Sequence, residues 1–459
     1  MLSNRAVSVG LRLADVSLAG AAAVIGGCRL AARHARRHRG RAAPDRPRLM
    51  AIDSMYSLNV LRAREALHLV TYRDLDGYFE HVWTVHPFVG LDPTKPEPAR
   101  VGRPVATQIN AAHTMVEGCA ARMPGLAGLP HLNFVLAQLA LVLDLDRIVH
   151  RNGVAIVRGD PYYHGLLALL LGRLNRCSVE LRVIANHDAI YERAGGLAYP
   201  RLFRWRAVEQ AVVRFTLSRA DSVVIASDDN RGFALRNGAR PERIAHAANG
   251  SMISPIHLED PQEREAAQDE FGFGDRPVVM FIGRLASEKH PEDVVISVAK
   301  ARERVPDLAA LVVGEGPLRD ELVRLSAELG IEDGVVFAGD RDQRWIARML
   351  ARCTIVAAPL AGLALVEAAL SATPIVAYDV EWHAELIRSG HDGILVPDRD
   401  TDAMAAAIAD LAEDRALAAR LGAAGRARAL DVMDPAKLIA QERALAAGLL
   451  AGAAAPSEP

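Results

Sequence analysis

The sequence predicts an α/β protein built from two doubly wound domains that face each other across a cleft. Three observations carry that prediction. The chain has 459 residues, more than one hydrophobic core ordinarily serves, and its 51% apolar and 24% charged content suits sizeable cores. From residue 277 onward, short continuous apolar runs alternate with amphipathic stretches, the pattern of buried parallel strands covered on both faces by helices. Between the halves, "NGSMISPIHLEDPQ" (249–262) carries two prolines and no clear period, and reads as a linker. The expected organisation is an extension at 1–46, one Rossmann-like domain at 47–255, a second at 256–430, and a C-terminal helix and tail at 431–459.

The formal net charge of −2 argues against a general nucleic-acid-binding protein. Four widely spaced cysteines (Cys28, Cys119, Cys177, Cys353) give no CxxC pair, which excludes the usual zinc patterns and fits a reducing cytosol.

In chain order, "VSLAGAAAVIGG" (16–27) is an apolar run of small residues followed by the arginine-dense "CRLAARHARRHRGRAAPDRPR". It is shorter than the ~20 residues that span a bilayer, and its basic residues follow the apolar run where a secretory signal has them first. The segment reads as a peripheral membrane element at the inner face of the cytoplasmic membrane, with arginines at anionic headgroups, or as a tail. The first half then offers strands at "RLMAID" (48–53), "VAIVRG" (154–159), "SVELRVIAN" (178–186), "DSVVIAS" (221–227) and "RIAHAA" (243–248). "LNFVLAQLALVLDLDRIV" and "LFRWRAVEQAVVRFTLSRA" read as long helices among them. The second half is cleaner: "PVVMFIG" (277–283), "LAALVVG" (308–314), "GVVFAG" (334–339), "CTIVAAP" (353–359) and "PIVAYD" (374–379). "AAGLLAGAAAPSEP" at the end reads as a fraying helix and tail.

In open α/β sheets ligands sit outside the carboxyl ends of strands, so the loops after strands are where chemistry is sought. In "FIGRLASEKHPEDVV", Arg284 follows a strand and Lys289 precedes a helix expected to begin near Pro291, with Glu292 and Asp293 at its positive end. Two cations there suit phosphate; the alternative is that both are ordinary surface charges. In "PLAGLALVEAAL" (359–370), Gly362 permits a tight turn and Leu363 opens a helix whose free amides favour an anion. Glu367 lies one turn on, where a carboxylate accepting from vicinal hydroxyls would hold a ribose; the alternative is a helix carboxylate paired to a neighbouring arginine. "LVVGEGPLRD" (311–320) fails the dinucleotide fingerprint because Arg319 stands where the third glycine belongs, which disfavours a dehydrogenase.

"GRLASEK", "VVGEGPLRDEL", "VVFAGD", "LALVEAALSATPIVAYD" and "AELIRSGHDGILV" occur in this order. Together they resemble the C-terminal half of a retaining glycosyltransferase of family 4 (glycosyl transferases group 1, GT-B fold), strongly over 277–430 and weakly over 48–255, where "RVIANHDAIYERAG" resembles the acceptor-side domain. The resemblance implies a nucleotide-diphosphate-sugar donor and a glycan or lipid-linked acceptor of the cell envelope. Arg284 and Lys289, after Gly283, would neutralise the diphosphate in place of a divalent metal, so neither metal nor other cofactor is expected. Glu367 would hold the ribose, the Gly362–Leu363 backbone would approach the phosphate or sugar, and Asp340 and Arg341 would flank the base. His187, beside Asp188, would sit across the cleft near the sugar. Two departures stand out. Pro359 occupies the position of the family's first motif glutamate, which helps hold the donor sugar, so an atypical donor pocket is expected. "DSMYSLNV" (53–60) lacks the glycines usual after the first strand, leaving Ser54 and Ser57 or backbone amides for that role. The rival from another class is a non-catalytic nucleotide-sugar-binding or scaffolding protein on the same fold; an epimerase or phosphorylase is a third reading.

Overall fold

The computed structural model describes residues 15–28, 30, 45–53, 56–91, 97–194, 202–203, 205–247, 253–263 and 269–454. Two sheets organise the chain. The first has eight strands: β1 (Arg48–Ile52), β2 (His81–Val89), β3 (Val105–Asn110), β4 (His113–Cys119), β5 (Ile156–Gly159), β6 (Ser178–Val183), β7 (Ser222–Ile225) and β8 (Ile244–His246). Their order is β3-β4-β2-β1-β5-β6-β7-β8, and only the edge strand β3 is antiparallel to its neighbour. The second sheet is parallel throughout, with β9 (Val278–Ile282), β10 (Ala309–Val313), β11 (Val335–Gly339), β12 (Ile355–Ala358), β13 (Ile375–Tyr378) and β14 (Ile394–Val396) in the order β11-β10-β9-β12-β13-β14.

The expected strands are present, and four were not anticipated: β2, β3, β4 and β14. Thr84, His86 and Pro87 break the apolar run of "HVWTVHPFV", yet all but its first residue are buried. Pro87 cannot donate to a ladder. The sheet accommodates it with a register shift between His86 and Val89, beside Gly118. A Cβ at position 118 would lie 2.0 Å from the Pro87 carbonyl oxygen, so only glycine fits. The β3–β4 hairpin turns on Asn110, whose Oδ1 accepts from the Ala112 amide at 2.9 Å.

Helix starts follow local capping chemistry. Ser227, Asp342, Asp400 and Asp414 each accept from an amide one turn along, at 2.8–3.2 Å. The helix Pro291–Ala301 begins with proline, as expected, but its acidic first turn does more than complement the dipole. Arg399 pairs with Glu292 at 2.9 Å and Asp293 at 3.0 Å, and the Tyr378 hydroxyl donates to Asp293 at 2.7 Å.

The last helix is docked on the first domain, and residues 455–459 of the expected tail lie outside the described residues. Helix Pro435–Ala454 returns to the first sheet, where Ala446 is buried with Leu49, Leu75, Phe79, Val82 and Ile156. Arg443 donates to the Leu75 carbonyl at 2.8 Å. Arg182 meets Glu442 with two bonds, at 2.6 and 2.5 Å, and Arg158 and Arg182 share Glu180 at 2.6 and 2.9 Å. Burial would push the Glu442 carboxyl up; the Arg182 and Arg158 guanidiniums overcome it and hold the group at about 2.

Because the folded value lies below the ordinary 4.5, the stabilisation is complete above pH 4.5 and is lost as pH falls toward 2. Its size is about 3 kcal/mol. Glu442→Gln is expected to lower the urea midpoint at pH 7 by an amount equivalent to about 3 kcal/mol, and to flatten the loss of stability between pH 4.5 and 2. An unchanged midpoint would show that the return helix is not held by this network.

Candidate functional site

In each sheet the chain reverses direction of travel once, and the crevice at that reversal is where ligands bind in such folds. In the second sheet it lies between β9 and β12, which are neighbours although β10 and β11 intervene in sequence. In the first it lies between β1 and β5. The loop carrying Gly283, Arg284 and Lys289 follows β9, and the loop carrying Gly362 and Leu363 follows β12, so the structure brings these predicted residues to one crevice.

The β9 loop is shaped by its neighbour. Gly314 has φ +132°, and a Cβ there would lie 2.0 Å from the Gly283 carbonyl oxygen; one at Gly316 would lie 2.3 Å from that of Leu285. The Leu285 amide donates to Glu315 O at 3.0 Å. The "GEG" of the loop after β10, which fails as a dinucleotide fingerprint, is thus what lets two backbones touch. Arg284 is exposed and held at 2.7 Å by Glu288. Lys289 is half-buried at the end of a short turn, Ser287–Lys289. Burial pulls its pKa down, with Arg284 adding to that and Glu381 and Glu288 opposing it. Among the described residues its ammonium has no hydrogen bond or close ion pair. An anion placed there would supply the missing counter-charge.

The β12 loop is held from behind. His383, fully buried, sits 2.8 Å from the Tyr378 carbonyl through Nδ1 and 3.2 Å from the Ala361 amide through Nε2. Pro359, Leu360 and Ala361 are buried, so the position of the absent glutamate is packed into the domain. Gly362 has φ −97°, and a Cβ there would meet nothing within 4 Å. Gly362 stands in the short turn between β12 and helix Leu363–Leu370, and its missing side chain leaves open space over the start of that helix. Glu367 is 7% exposed, and burial raises its pKa to about 7. Among the described residues it is not paired to an arginine; the ionisable side chain beside it is His257, with Nε2 3.9 Å from Oε1.

His187 opens helix His187–Ala194, which packs against the turn Ser287–Lys289 of the other domain. His187 stands in the first turn of that helix. The Tyr162 ring meets it edge-on at 4.8 Å. Burial lowers its pKa to about 4, Asp160 opposing and Arg206 reinforcing the shift, so the imidazole is neutral at physiological pH. Asp188 is engaged by Arg206 and by Asn237 Nδ2 at 3.0 Å, which fixes the helix start.

Asp340 and Arg341 follow β11, two strands from the crevice. Asp340 bridges the domains through Arg64 at 2.8 Å. Arg341 turns to Glu270 at 2.9 Å and lies over the Trp345 ring at 4.7 Å, so its guanidinium is already engaged. In the first domain Ser57 caps helix Leu58–Ala63 and bonds Glu97, while Ser54 lies outside the described residues. His257 and His383 were not anticipated. Isolated histidines carry no spacing signal, and only the fold places them against Glu367 and Ala361.

A sequence profile of the family described as glycosyl transferases group 1 matches residues 263–428. Over 276 residues the chain is 32% identical to the GDP-mannose-dependent alpha-(1-6)-phosphatidylinositol monomannoside mannosyltransferase of Mycolicibacterium smegmatis, covering 57% of this chain and 69% of that protein. It is 29% identical to the alpha-D-kanosaminyltransferase of Streptomyces kanamyceticus over 213 residues, 45% of this chain and 55% of the relative. With D-inositol 3-phosphate glycosyltransferase of Nocardia farcinica the identity is 31%, over 45% of this chain and 48% of that one, so the match spans about half the length of several relatives. Among solved structures, Anabaena Alr3699/HepE in complex with UDP and glucose matches with a TM-score of 0.62 at 17% identity, covering 88% of this chain and 100% of that one. Sucrose-phosphate synthase from Thermosynechococcus elongatus matches with a TM-score of 0.66 at 18% identity, covering 89% and 100%. At such identities these two likenesses speak to fold. Taken with the sequence match to the mannosyltransferase, they establish that this chain belongs to the glycosyl transferases group 1 family and that its two facing domains form the GT-B fold.

Proposed function

We propose that this protein transfers a sugar, with retention of configuration, from a nucleoside-diphosphate-sugar to a saccharide or lipid-linked acceptor of the cell envelope. The observation that carries the reading is the half-buried ammonium of Lys289, without a close counter-charge among the described residues, on the loop beside the helix that bears Glu367. In this reading the diphosphate lies between Arg284, Lys289 and the amides of helix Leu363–Leu370, and the ribose hydroxyls donate to Glu367. As the bond from the sugar to the diphosphate breaks, negative charge grows on the departing oxygens, and two cations and a helix start stabilise it. They supply the positive charge for which a divalent metal would otherwise serve. A departing phosphate oxygen accepts the acceptor's proton, and neutral His187 orients the sugar from the opposite domain. The buried Pro359 withholds a carboxylate from the sugar, so sugar contacts come from elsewhere in the pocket.

The membrane reading of the N-terminal extension draws support from helical residues 15–28. Asp15 is buried and accepts from the His131 and Leu132 amides at 3.0 and 2.9 Å, fastening this segment to the first domain. Val16, Leu18, Val24 and Ile25 are exposed, at 48–67%. Among the described residues no helix is long and apolar enough to cross a membrane. Exposed apolar side chains followed in sequence by a run of arginines suit the surface of an anionic bilayer.

Thermal stabilisation by UDP, GDP and ADP tests the donor site, since a ligand at a hundred times its dissociation constant adds roughly 2.7 kcal/mol. One of the three is expected to stabilise the protein; stabilisation by none would favour the scaffold reading. Lys289→Ala should cut turnover by more than about tenfold, and a near-normal rate would remove Lys289 from the site. With His187 neutral from about pH 5 upward, the wild-type rate should show no ionisation that disappears in His187→Ala between pH 5 and 8. Replacing Val16, Leu18, Val24 and Ile25 together by serine should abolish sedimentation with phosphatidylglycerol vesicles; unchanged sedimentation would end the membrane reading.

A further inference from the structure

Three helices share one core against the first sheet: helix Pro130–Asn152 packs on helix Tyr163–Asn175, which packs on helix Arg206–Leu217. A surface helix ordinarily keeps one apolar side for the core and turns polar residues outward. The last two of these depart from that rule. "YHGLLALLLGRLN" is apolar nearly all round: Leu167, Ala168 and Leu171 are buried, while Leu166, Leu170 and Leu174, four apart on another side, are half-buried or exposed. Helix Arg206–Leu217 buries Glu209, Val213, Thr216 and Leu217. Its capping residue Trp205 and then Val208, Val212 and Phe215 recur at three- and four-residue spacing, a second apolar stripe. Leu170, Trp205, Val208 and Phe215 are exposed, at 39–63%. Arg173, Arg176, Arg214 and Arg219 are exposed too, and the Arg219 guanidinium lies over the Phe215 ring, 4.1 Å from its centroid. Glu209, the acidic residue of these two helices, is buried against Arg206.

We propose that this outward surface is a membrane-docking face: Trp205, Val208, Phe215 and Leu170 enter the headgroup region of an anionic bilayer, with Arg173, Arg176, Arg214 and Arg219 at its phosphates. The inference goes beyond the reading of residues 15–28 and does not depend on it. Charge chooses the occupant. A row of exposed apolar groups edged by arginines, with the one carboxylate of the two helices turned inward, is complementary to an apolar interior under a negative surface. A second copy of the chain is a poorer fit, because a symmetric pair sets the patch against itself and brings arginine to arginine. The indole of Trp205 suits the boundary, where its body is apolar and its N–H stays wet. Residues 15–28 lie on the same helix layer, with Asp15 at the His131 and Leu132 amides and Gly26 beside Leu139, so exposed apolar groups recur across it. The face also reaches the cleft. Arg206, which opens the last helix, engages Asp188, the neighbour of His187, so a bilayer seated here lies beside the site where a lipid-linked acceptor would enter.

The test uses the full chain with phosphatidylglycerol vesicles whose acyl chains are dibrominated, since bromine quenches a tryptophan that enters the bilayer. Of the four tryptophans Trp205 is exposed, and Trp83, Trp345 and Trp382 are buried or half-buried, so quenching reports on this face. Wild type should sediment with these vesicles and be quenched by them. Trp205→Phe should keep the sedimentation and lose the quenching. Trp205→Ser, Val208→Ser and Phe215→Ser together should weaken partition by more than about tenfold, the least that burying one such side chain supplies. An unquenched wild type, quenching that persists in Trp205→Phe, or full sedimentation of the triple variant would overturn the proposal. So would a wild type of doubled molar mass that the triple variant returns to monomer, which would make the face an interface between two copies. The serine variant of Val16, Leu18, Val24 and Ile25 separates the two membrane claims. Sedimentation lost there, with Trp205 unquenched in wild type, leaves the N-terminal helix as anchor and ends this proposal. Sedimentation unchanged there, with Trp205 quenched, ends the N-terminal reading and upholds this face.

Discussion

The carboxylate of Glu442, carried on the last helix and buried against Arg182 and Arg158 of the first domain, is the interaction on which the two-domain arrangement depends. The chain leaves the first domain through the crossover at 253–258 and comes back through helix Pro435–Ala454, so the domains are joined twice. A buried ion that loses its partner is strongly penalised. The network therefore specifies where the return helix docks more sharply than the apolar contacts of Ala446 alone would. Two further contacts cross the cleft, from Arg64 to Asp340 and from the Asp228 amide to Glu385, the latter at 2.9 Å. With the domains so joined, helix His187–Ala194 lies against the turn that ends in Lys289.

Once the domains face each other, chemistry is confined to the crevices where strand order reverses. In the second domain the two loops at that point are shaped by quite different means. The β9 loop is pressed by backbone contact, which is why Gly314 and Gly316 carry no side chain. The β12 loop is hung from a buried histidine, His383, and ends in the open space over Gly362. Between them lie an ammonium and a carboxylate, each driven by burial toward neutrality, Lys289 downward and Glu367 upward. Groups in that condition gain most from a ligand that brings the opposite charge or the complementary hydrogen bond.

Membership of the glycosyl transferases group 1 family and the site geometry meet at one discord. The family's first motif glutamate is replaced by Pro359, and the structure packs that proline into the domain. The departure is thus local to the start of the β12 loop, while Arg284, Lys289 and Glu367 are all present at the same crevice.

Much was legible in the residues alone. Uninterrupted apolar runs located all of the strands β9 to β13, because strands buried on both faces need no polar alternation. The order of short motifs singled out Arg284, Lys289, Glu367 and His187, which stand on the segments that follow β9, β12 and β6. What stayed hidden was what only contact decides. β2 escaped because Pro87 and His86 look like strand breakers until Gly118 is seen lying against the Pro87 carbonyl. Arg341 looked available to a ligand until Trp345 and Glu270 were found beside it. His257, His383 and Glu442 carry no spacing signal, since their partners lie 5 to 284 residues away in sequence. The sequence by itself determined the fold class and the family and singled out the charged residues at the second-sheet crevice, all of which depend on local pattern and on the strand-to-loop boundary. Tertiary structure alone decided which side chains hold those groups in place, because a buried ring or carboxylate takes its role from the neighbours that exclude water around it.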